Sequence, residues 1–153
     1  MLYTEADAAN ARNRVKKNTW TLIVPLCALL IAYAIFTVLG VRWAMLIALL
    51  AAFAWTVFYS DLYLLPEIRY KRFLNQMAEG LRRTTDAVIA GIESAEQPQD
   101  GAQVLPVRVE LADGSGERLF WLDARKADQL PPIGTRVRLE SCGRHITAFE
   151  EPR

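Results

Sequence analysis

Two long apolar runs, residues 19–39 and 43–63, constrain this chain more than any other part of its sequence. They meet at a short turn, and Arg42 in that turn is the only charged residue between residue 19 and Asp61. A bilayer core about 30 Å thick requires roughly 20 apolar residues of helix, and each run is close to that length. Because only a helix can satisfy its backbone hydrogen bonds within one segment in lipid, the stretch 19–63 predicts a two-helix transmembrane hairpin.

A soluble helical hairpin buried in a large core is the alternative interpretation of the same stretch. The chain has 153 residues, so too little other sequence remains to cover two helices that are apolar on every side. We therefore favour the membrane, and expect a multi-pass protein of the cell membrane, such as the inner membrane of a bacterium.

The two halves of the chain carry opposite net charge. Residues 1–83 contain ten Lys or Arg and five Asp or Glu, which gives +5, whereas residues 84–153 contain eight and twelve, which gives −4. The basic half holds both apolar runs. The acidic half has the composition of an ordinary soluble domain, small but able to fold alone.

Basic residues predict the orientation of the hairpin. Four lie before the first run, one lies in the turn, and five follow the second run: Arg69, Lys71, Arg72, Arg82 and Arg83. Since Lys and Arg concentrate in cytoplasmic loops, both termini are expected in the cytoplasm. The expected order is a cytoplasmic N-terminal segment 1–18, the hairpin 19–63, a stalk helix 66–83 and a cytoplasmic domain 84–153.

Small residues repeat at intervals of four in the second run, at Ala44, Ala48 and Ala52. Such a ridge lets two helix backbones approach closely in a membrane. We expect it to pack the hairpin against itself. The alternative is a face for oligomerisation or for a membrane-protein partner.

Residues 66–83 have the pattern of a basic amphipathic helix. Pro66 is favoured at the first helical position, and Glu67 suits a helix N-terminus. The apolar stripe consists of Ile68, Phe73, Leu74, Met77 and Leu81. The five basic residues named above are candidates for contact with anionic lipid headgroups. Alternatively, the helix is a stalk whose stripe packs on the following domain.

The pattern changes after Arg83, and the stretch 84–93 is rich in β-branched residues. We favour a strand at 86–93, because Gly80 is a poor residue for a helix interior and the later strands need a partner. Extension of the preceding helix remains an alternative. Residues 97–101 are predicted to form a loop.

Four further strands are predicted at 104–112, 117–124, 135–141 and 145–151, with a short helical turn at 125–130. A hairpin turn is expected at 113–116. Alternation places these residues in the core: Val107, Val109, Leu111, Val137, Leu139, Ile146 and Phe149. Phe120 and Trp121 fall on opposite faces of their strand. Five short strands with a break after the third predict a small closed or partly open β-barrel of the OB or SH3-like type.

No pattern for catalysis, cofactor binding or metal binding emerges from the sequence. His145 is the only histidine, and Cys27 and Cys142 lie in different parts of the chain, so neither a zinc site nor a disulfide framework is expected. We interpret His145 as a strand residue beside a turn and Asp61 as a hydrated residue at the end of a span. Nucleic-acid binding requires a basic groove and stacking aromatics, which an acidic domain does not favour.

The closing stretch GTRVRLESCGRHITAFE, residues 134–150, has a glycine, a strand, a glycine turn and a final strand. It resembles the paired last strands of membrane-anchored OB proteins of the NfeD type, and the order of spans followed by a small barrel is similar. The resemblance implies an OB barrel and a scaffold-like role beside membrane-bound stomatin-like or protease partners. It implies no functional residues.

Taken together, these patterns predict a membrane-anchored binding or scaffold protein and not an enzyme. Its small cytoplasmic barrel is expected to bind a protein partner, or another copy of the chain in an oligomer. One alternative is a sensor of lipids or small molecules that uses the basic helix. Another is an accessory subunit of a membrane enzyme or transporter.

Overall fold

The computed structural model describes residues 2–114 and 116–150, and in these residues it contains three α-helices and six strands. The helices are α1 (Glu5–Val38), α2 (Arg42–Tyr59) and α3 (Leu65–Glu79), with one π-helical turn (Ser60–Leu64) between the last two. The strands are β1 (Arg82–Ile92), β2 (Gln97–Gln99), β3 (Ala102–Leu111), β4 (Glu117–Asp123), β5 (Arg136–Cys142) and β6 (His145–Glu150). A 3-10 helix (Ala124–Gln129) connects β4 and β5. The chain divides into two compact units, residues 9–68 and residues 2–8 with 69–150.

The first unit is a helical hairpin, as predicted. Both of its helices are long and apolar enough to cross a membrane, judged by length and composition. The turn depends on Gly40, whose φ of +72° lies in the left-handed region that glycine adopts without strain. It ends α1 as the residue after a helix C-cap commonly does, and the Val41 N–H donates to the carbonyl oxygen of Phe36.

The start of α1 differs from the predicted bounds, because the helix begins 14 residues before residue 19. Thr4 and Asp7 explain this start. The Asp7 N–H donates to the Thr4 hydroxyl at 3.3 Å, and the Thr4 N–H donates to the Asp7 carboxylate at 2.9 Å. This reciprocal pair satisfies two backbone donors at the helix N-terminus, in the manner of a capping box.

The end of α3 also differs from the prediction, which extended it to residue 83. The helix stops at Glu79, and the next residue, Gly80, lies against the Sγ atom of Cys142 on β5, where any side chain would collide. Glycine also disfavours continuation of a helix. Of the predicted stripe, Phe73, Leu74 and Met77 are buried, together with Tyr70. Ile68 is exposed, and Leu81 is exposed and lies beyond the end of the helix.

The second unit contains a closed five-stranded barrel, which confirms the predicted barrel architecture. The strand order is β1-β5-β6-β4-β3, and β1 returns to pair with β3. β1 pairs with β5 over residues 82–88 and with β3 over residues 87–92, so one long strand closes the barrel. The strand interpretation of the stretch 84–93 is therefore confirmed. A register shift between Ile89 and Gly91 lets this strand bend.

Most of the predicted core residues are buried inside the barrel, including Val107, Val109 and Leu139 at 0% exposure. Phe149 is half-buried and packs against the same cluster. The helical turn after β4 is confirmed as the 3-10 helix. The loop predicted at 97–101 is wrong in part, because β2 pairs with β3 there. β3 and β4 form the expected antiparallel hairpin, although Ser115 of its turn lies outside the described residues.

Candidate functional site

The line along which β4 meets β6, called here the seam, is the weakest join of the barrel. Among the described residues, the other strand pairs are antiparallel and extend over several residues, whereas β4 and β6 are parallel and pair only between Trp121 and His145. At that point the Trp121 N–H donates to the carbonyl oxygen of Arg144 at 2.8 Å. This single pair divides the seam into two halves.

The chain's own N-terminal arm, residues 2–8, covers one half of the seam. The Leu2 N–H donates to the carbonyl oxygen of Thr147 on β6 at 2.8 Å. The Leu2 side chain is 5% exposed and belongs to the core cluster of the barrel. An extended segment therefore binds this half through a backbone hydrogen bond and one aliphatic side chain. We call this the filled half.

An ion pair fastens the arm to the 3-10 helix. The Lys126 Nζ atom lies 3.1 Å from the Asp7 Oδ1 atom. Burial acts to raise the pKa of Asp7, but hydrogen bonds from the Thr4 backbone and the Lys126 ammonium outweigh it and lower the pKa below its usual value. The arm is thus held by a buried leucine and by a charged contact.

Tyr3 of the arm, Tyr70 of α3 and Asp123 of β4 form a group of two phenols and one carboxylate. Asp123 is 1% exposed, and its carboxylate accepts hydrogen bonds from the Tyr70 hydroxyl at 2.8 Å and from the Arg125 N–H at 3.0 Å. The Arg125 guanidinium lies 4.0 Å from the centre of the Tyr70 ring. Burial, and secondarily Asp123, raise the pKa of both Tyr3 and Tyr70, so both phenols remain protonated at neutral pH.

His145 lies at the pair that divides the seam, and its surroundings are more elaborate than the sequence suggested. Its Nε2 atom lies 2.9 Å from the Oδ2 atom of Asp100, and its ring packs between Phe73 and Trp121 at centroid distances of 5.0 and 5.2 Å. Because an ionised carboxylate can only accept, the Nε2 atom is the donor in this contact. Nδ1 is buried and has no hydrogen-bond partner in the part of the chain that the structure describes.

The turn between β2 and β3 supplies Asp100, and it is strained. Asp100 has a φ of +50°, a conformation that non-glycine residues rarely adopt. The next residue, Gly101, lies so close to α3 that an added Cβ would be 2.9 Å from the Arg69 carbonyl oxygen. This turn places the Asp100 carboxylate against His145.

The other half of the seam is open. Here a groove of about 460 Å³ separates residues 117–120 of β4 from the turn at residues 143–144. Its lining consists of Glu117, Arg118, Leu119, Phe120, Gly143 and Arg144. Leu119 is 40% exposed on the outer face of the barrel, and the Arg144 guanidinium lies 5.6 Å from the centre of the Trp121 ring. We call this the open half.

A second cleft of about 470 Å³ lies between the N-terminal arm and α3. Leu74, Met77 and Ala78 supply its apolar wall, and Arg82 contributes a charged group. The guanidinium of Arg82 also lies 3.7 Å from the Glu140 carboxylate. One predicted lipid contact is thus already engaged with a carboxylate of the barrel.

The remaining residues predicted for lipid contact are arranged around α3 and the start of β1. Arg69, Arg72 and Arg83 are exposed, and Lys71 is half-buried. Their contact with lipid remains a prediction. On the ridge of α2, Ala48 and Ala52 are buried and Ala44 is half-buried. Whether that ridge also takes part in self-association remains a prediction.

Sequence reasoning missed Leu2, Tyr3, Asp100 and Asp123. One local signal was available, because Thr4 followed three residues later by Asp7 is typical of a helix start. That signal places the beginning of α1 but not the burial of Leu2, which depends on the distant strand β6. Among the described residues, no cluster of His, Cys, Asp and Glu has the arrangement of a metal site.

Comparison of the chain with protein-family models, with curated proteins and with solved structures gave no match in any of the three. The resemblance to NfeD-type proteins therefore rests on the pattern of residues 134–150 and on the order of apolar runs followed by a small barrel.

Proposed function

We propose that this chain is a membrane-anchored binding protein. In this proposal α1 and α2 cross the membrane as a hairpin, and the barrel lies at its cytoplasmic face and binds a partner protein there. The proposal has three parts, which are the anchor, the type of barrel and the binding role, and each has separate support.

Exposed apolar side chains support the anchor. Within the most apolar window of α1 no residue is buried, and large side chains of α2 such as Trp43 and Phe53 are 80% and 69% exposed. An apolar surface of this extent is unfavourable in water and favourable in lipid. The basic residues that flank the hairpin on both sides support cytoplasmic termini.

The order of the strands supports a barrel of the OB type. Five strands in the order β1-β5-β6-β4-β3, closed by the pairing of β1 with β3 and with a parallel contact between β4 and β6, are compatible with the five-stranded Greek-key barrel of the OB type. The helical insertion between β4 and β5 is compatible with that arrangement.

The open half of the seam carries the binding role. It combines a groove, an exposed leucine and a strand edge without a strand partner among the described residues. Exposed strand edges are sites at which other chains add to a sheet, and proteins usually cover those they do not use. In the filled half of the same seam, the N-terminal arm covers the edge of β6 in this way.

Crosslinking of the full chain in native membranes, followed by mass spectrometry, tests the binding role. We expect crosslinks between barrel residues and a second protein. Crosslinks only between copies of this chain would contradict a partner protein.

A single cysteine probe tests the topology. Ile133 is 62% exposed and lies in the connection before β5, so Ile133→Cys should react with a membrane-impermeant maleimide only after lysis. The unsubstituted chain, with Cys27 and Cys142, is the matched control. Labelling of Ile133→Cys in intact cells would contradict the cytoplasmic assignment.

A further inference from the structure

We propose that the open half of the seam binds an extended segment of the partner protein by strand addition along β4, and that this segment alternates aliphatic and acidic residues. This inference rests on the proposed function, since it specifies where and how the partner binds.

The direction of the backbone groups of β4 gives the first argument. The Trp121 N–H crosses the seam to Arg144, and successive residues of a strand direct their backbone groups to opposite sides. Glu117 and Leu119 therefore direct their N–H and C=O groups into the groove, while Arg118 and Phe120 direct theirs toward β3. β4 has no strand partner on the groove side of residues 117–120 within the described chain. An added strand would find four backbone groups there.

The filled half supplies the second argument. There the N-terminal arm already contributes an N–H to the β6 backbone and an aliphatic side chain to the core. The same seam thus accepts an extended chain on one side of the pair between Trp121 and His145. The open half presents equivalent backbone groups, with Leu119 beside them as the apolar contact.

Charge gives the third argument and defines the partner's chemistry. Arg118 and Arg144 both line the groove, and neither has an ion-pair partner among the residues that the structure describes. They stand on a domain whose overall charge is negative. An aliphatic residue opposite Leu119, with carboxylates at neighbouring positions, matches this surface.

A second copy of the chain fits the groove poorly. The symmetric antiparallel register that pairs Glu117 with Leu119 places Arg118 directly opposite Arg118 of the other copy, which is unfavourable. The register centred on Leu119 brings Glu117 against Trp121, whose edge is already occupied by β6. These two registers favour a different protein as the occupant.

A photoreactive amino acid, benzoylphenylalanine, at position 119 of the full chain tests the site in native membranes. The same probe at Ile133, which is also exposed but lies away from the groove, is the matched control. We expect the probe at position 119, and not at 133, to crosslink a segment of another protein. Mass spectrometry then identifies that segment, which should alternate aliphatic and acidic residues.

The identified segment, synthesised as a labelled peptide, is then titrated against the full chain in lipid nanodiscs. Leu119→Pro removes an N–H that faces the groove and no hydrogen bond to β3, so affinity should fall about tenfold, the effect of one lost backbone bond. Arg144→Glu leaves the backbone unchanged and should weaken binding to a similar extent. Arg136→Glu, an equal charge change at an exposed position of β5, should leave the affinity unchanged. Because Arg144→Glu does not alter the strand, the test remains decisive if the proline variant unfolds.

Each other outcome overturns the inference. These outcomes are a crosslink from position 119 to lipid or to a second copy, a segment that is basic or helical, and an affinity that neither Leu119→Pro nor Arg144→Glu changes. If position 119 yields no partner while other barrel positions crosslink one, the strand-addition site is wrong and the proposed function stands. If no position yields a partner protein, both are wrong.

Discussion

The two halves of the seam differ in what covers them, although they adjoin at the same pair of residues, Trp121 and His145. On the filled half, the N-terminal arm covers the edge of β6 and places Leu2 in the core. On the open half, the edge of β4 borders a groove, and Leu119 remains 40% exposed. A leucine thus lies beside each half, one buried by the chain itself and the other exposed.

This difference indicates which contacts stabilise the barrel and which are free for another role. The barrel needs the arm, because without Leu2 the core cluster would open to water at the seam. It does not need an occupant in the groove, since Phe120 already closes the core there at 7% exposure. Substitutions in the two halves should therefore differ in their effect on the free energy of unfolding.

The largest expected effect comes from shortening the leucine of the filled half. Leu2→Ala should lower the free energy of unfolding by about 2 kcal/mol, because it removes a buried side chain from the core. Leu119→Ala, the matched change on the open half, should alter it by less than about 0.5 kcal/mol. Hydrogen exchange of the strand amides in the full chain measures both values. Equal effects would remove the distinction between the halves.

The two leucines also show which features of the fold could be predicted from the sequence and which could not. Alternation along β3 and β5 was enough to place Val107, Val109 and Leu139 in the core, because each faces inward wherever the barrel closes. The burial of Leu2 was not predictable, since two apolar residues before a helix carry no period, and their partner Thr147 is 145 positions away in the chain. The groove likewise depends on β6 meeting β4 at only one pair, a property of strand order rather than of any local pattern.

The next largest effect is expected at Asp100, which contacts His145 in the pair that separates the two halves. Asp100 has a φ of +50°, so Asp100→Val should lower the free energy of unfolding by about 2 kcal/mol through backbone strain and loss of the contact with His145. Asp100→Asn tolerates the same conformation and retains an acceptor, so it should have a much smaller effect. Exchange of the Trp121 amide, which donates to Arg144, reports whether the pair opens. Similar results for both variants would show that strain at Asp100 is unimportant.

The hydrogen bond from Tyr70 on α3 to Asp123 on β4 is expected to stabilise the barrel beside the filled half. Tyr70→Phe leaves one oxygen of the buried Asp123 carboxylate without its donor and should lower the free energy of unfolding by about 1 kcal/mol. Asp123→Asn combined with Tyr70→Phe completes a double-mutant cycle. We expect a coupling energy between the two positions that is clearly different from zero. Strictly additive effects would contradict an energetic link between α3 and β4.

The smallest expected effect concerns the ion pair between Asp7 and Lys126, which attaches the arm to the 3-10 helix, and this effect depends on pH. The pKa of Asp7 is lower in the folded chain than in the unfolded chain, where it is about 3.9. Its contribution is therefore fully present above that value and is lost as pH falls through the folded pKa. Asp7→Asn should lower the free energy of unfolding by about 0.5 kcal/mol at pH 7, because the pair is partly exposed. The difference between the variant and the natural chain should therefore shrink as the pH falls below the unfolded pKa of about 3.9. A difference that persists in acid would show that the Asp7 charge does not hold the arm, and would leave Leu2 as its principal attachment.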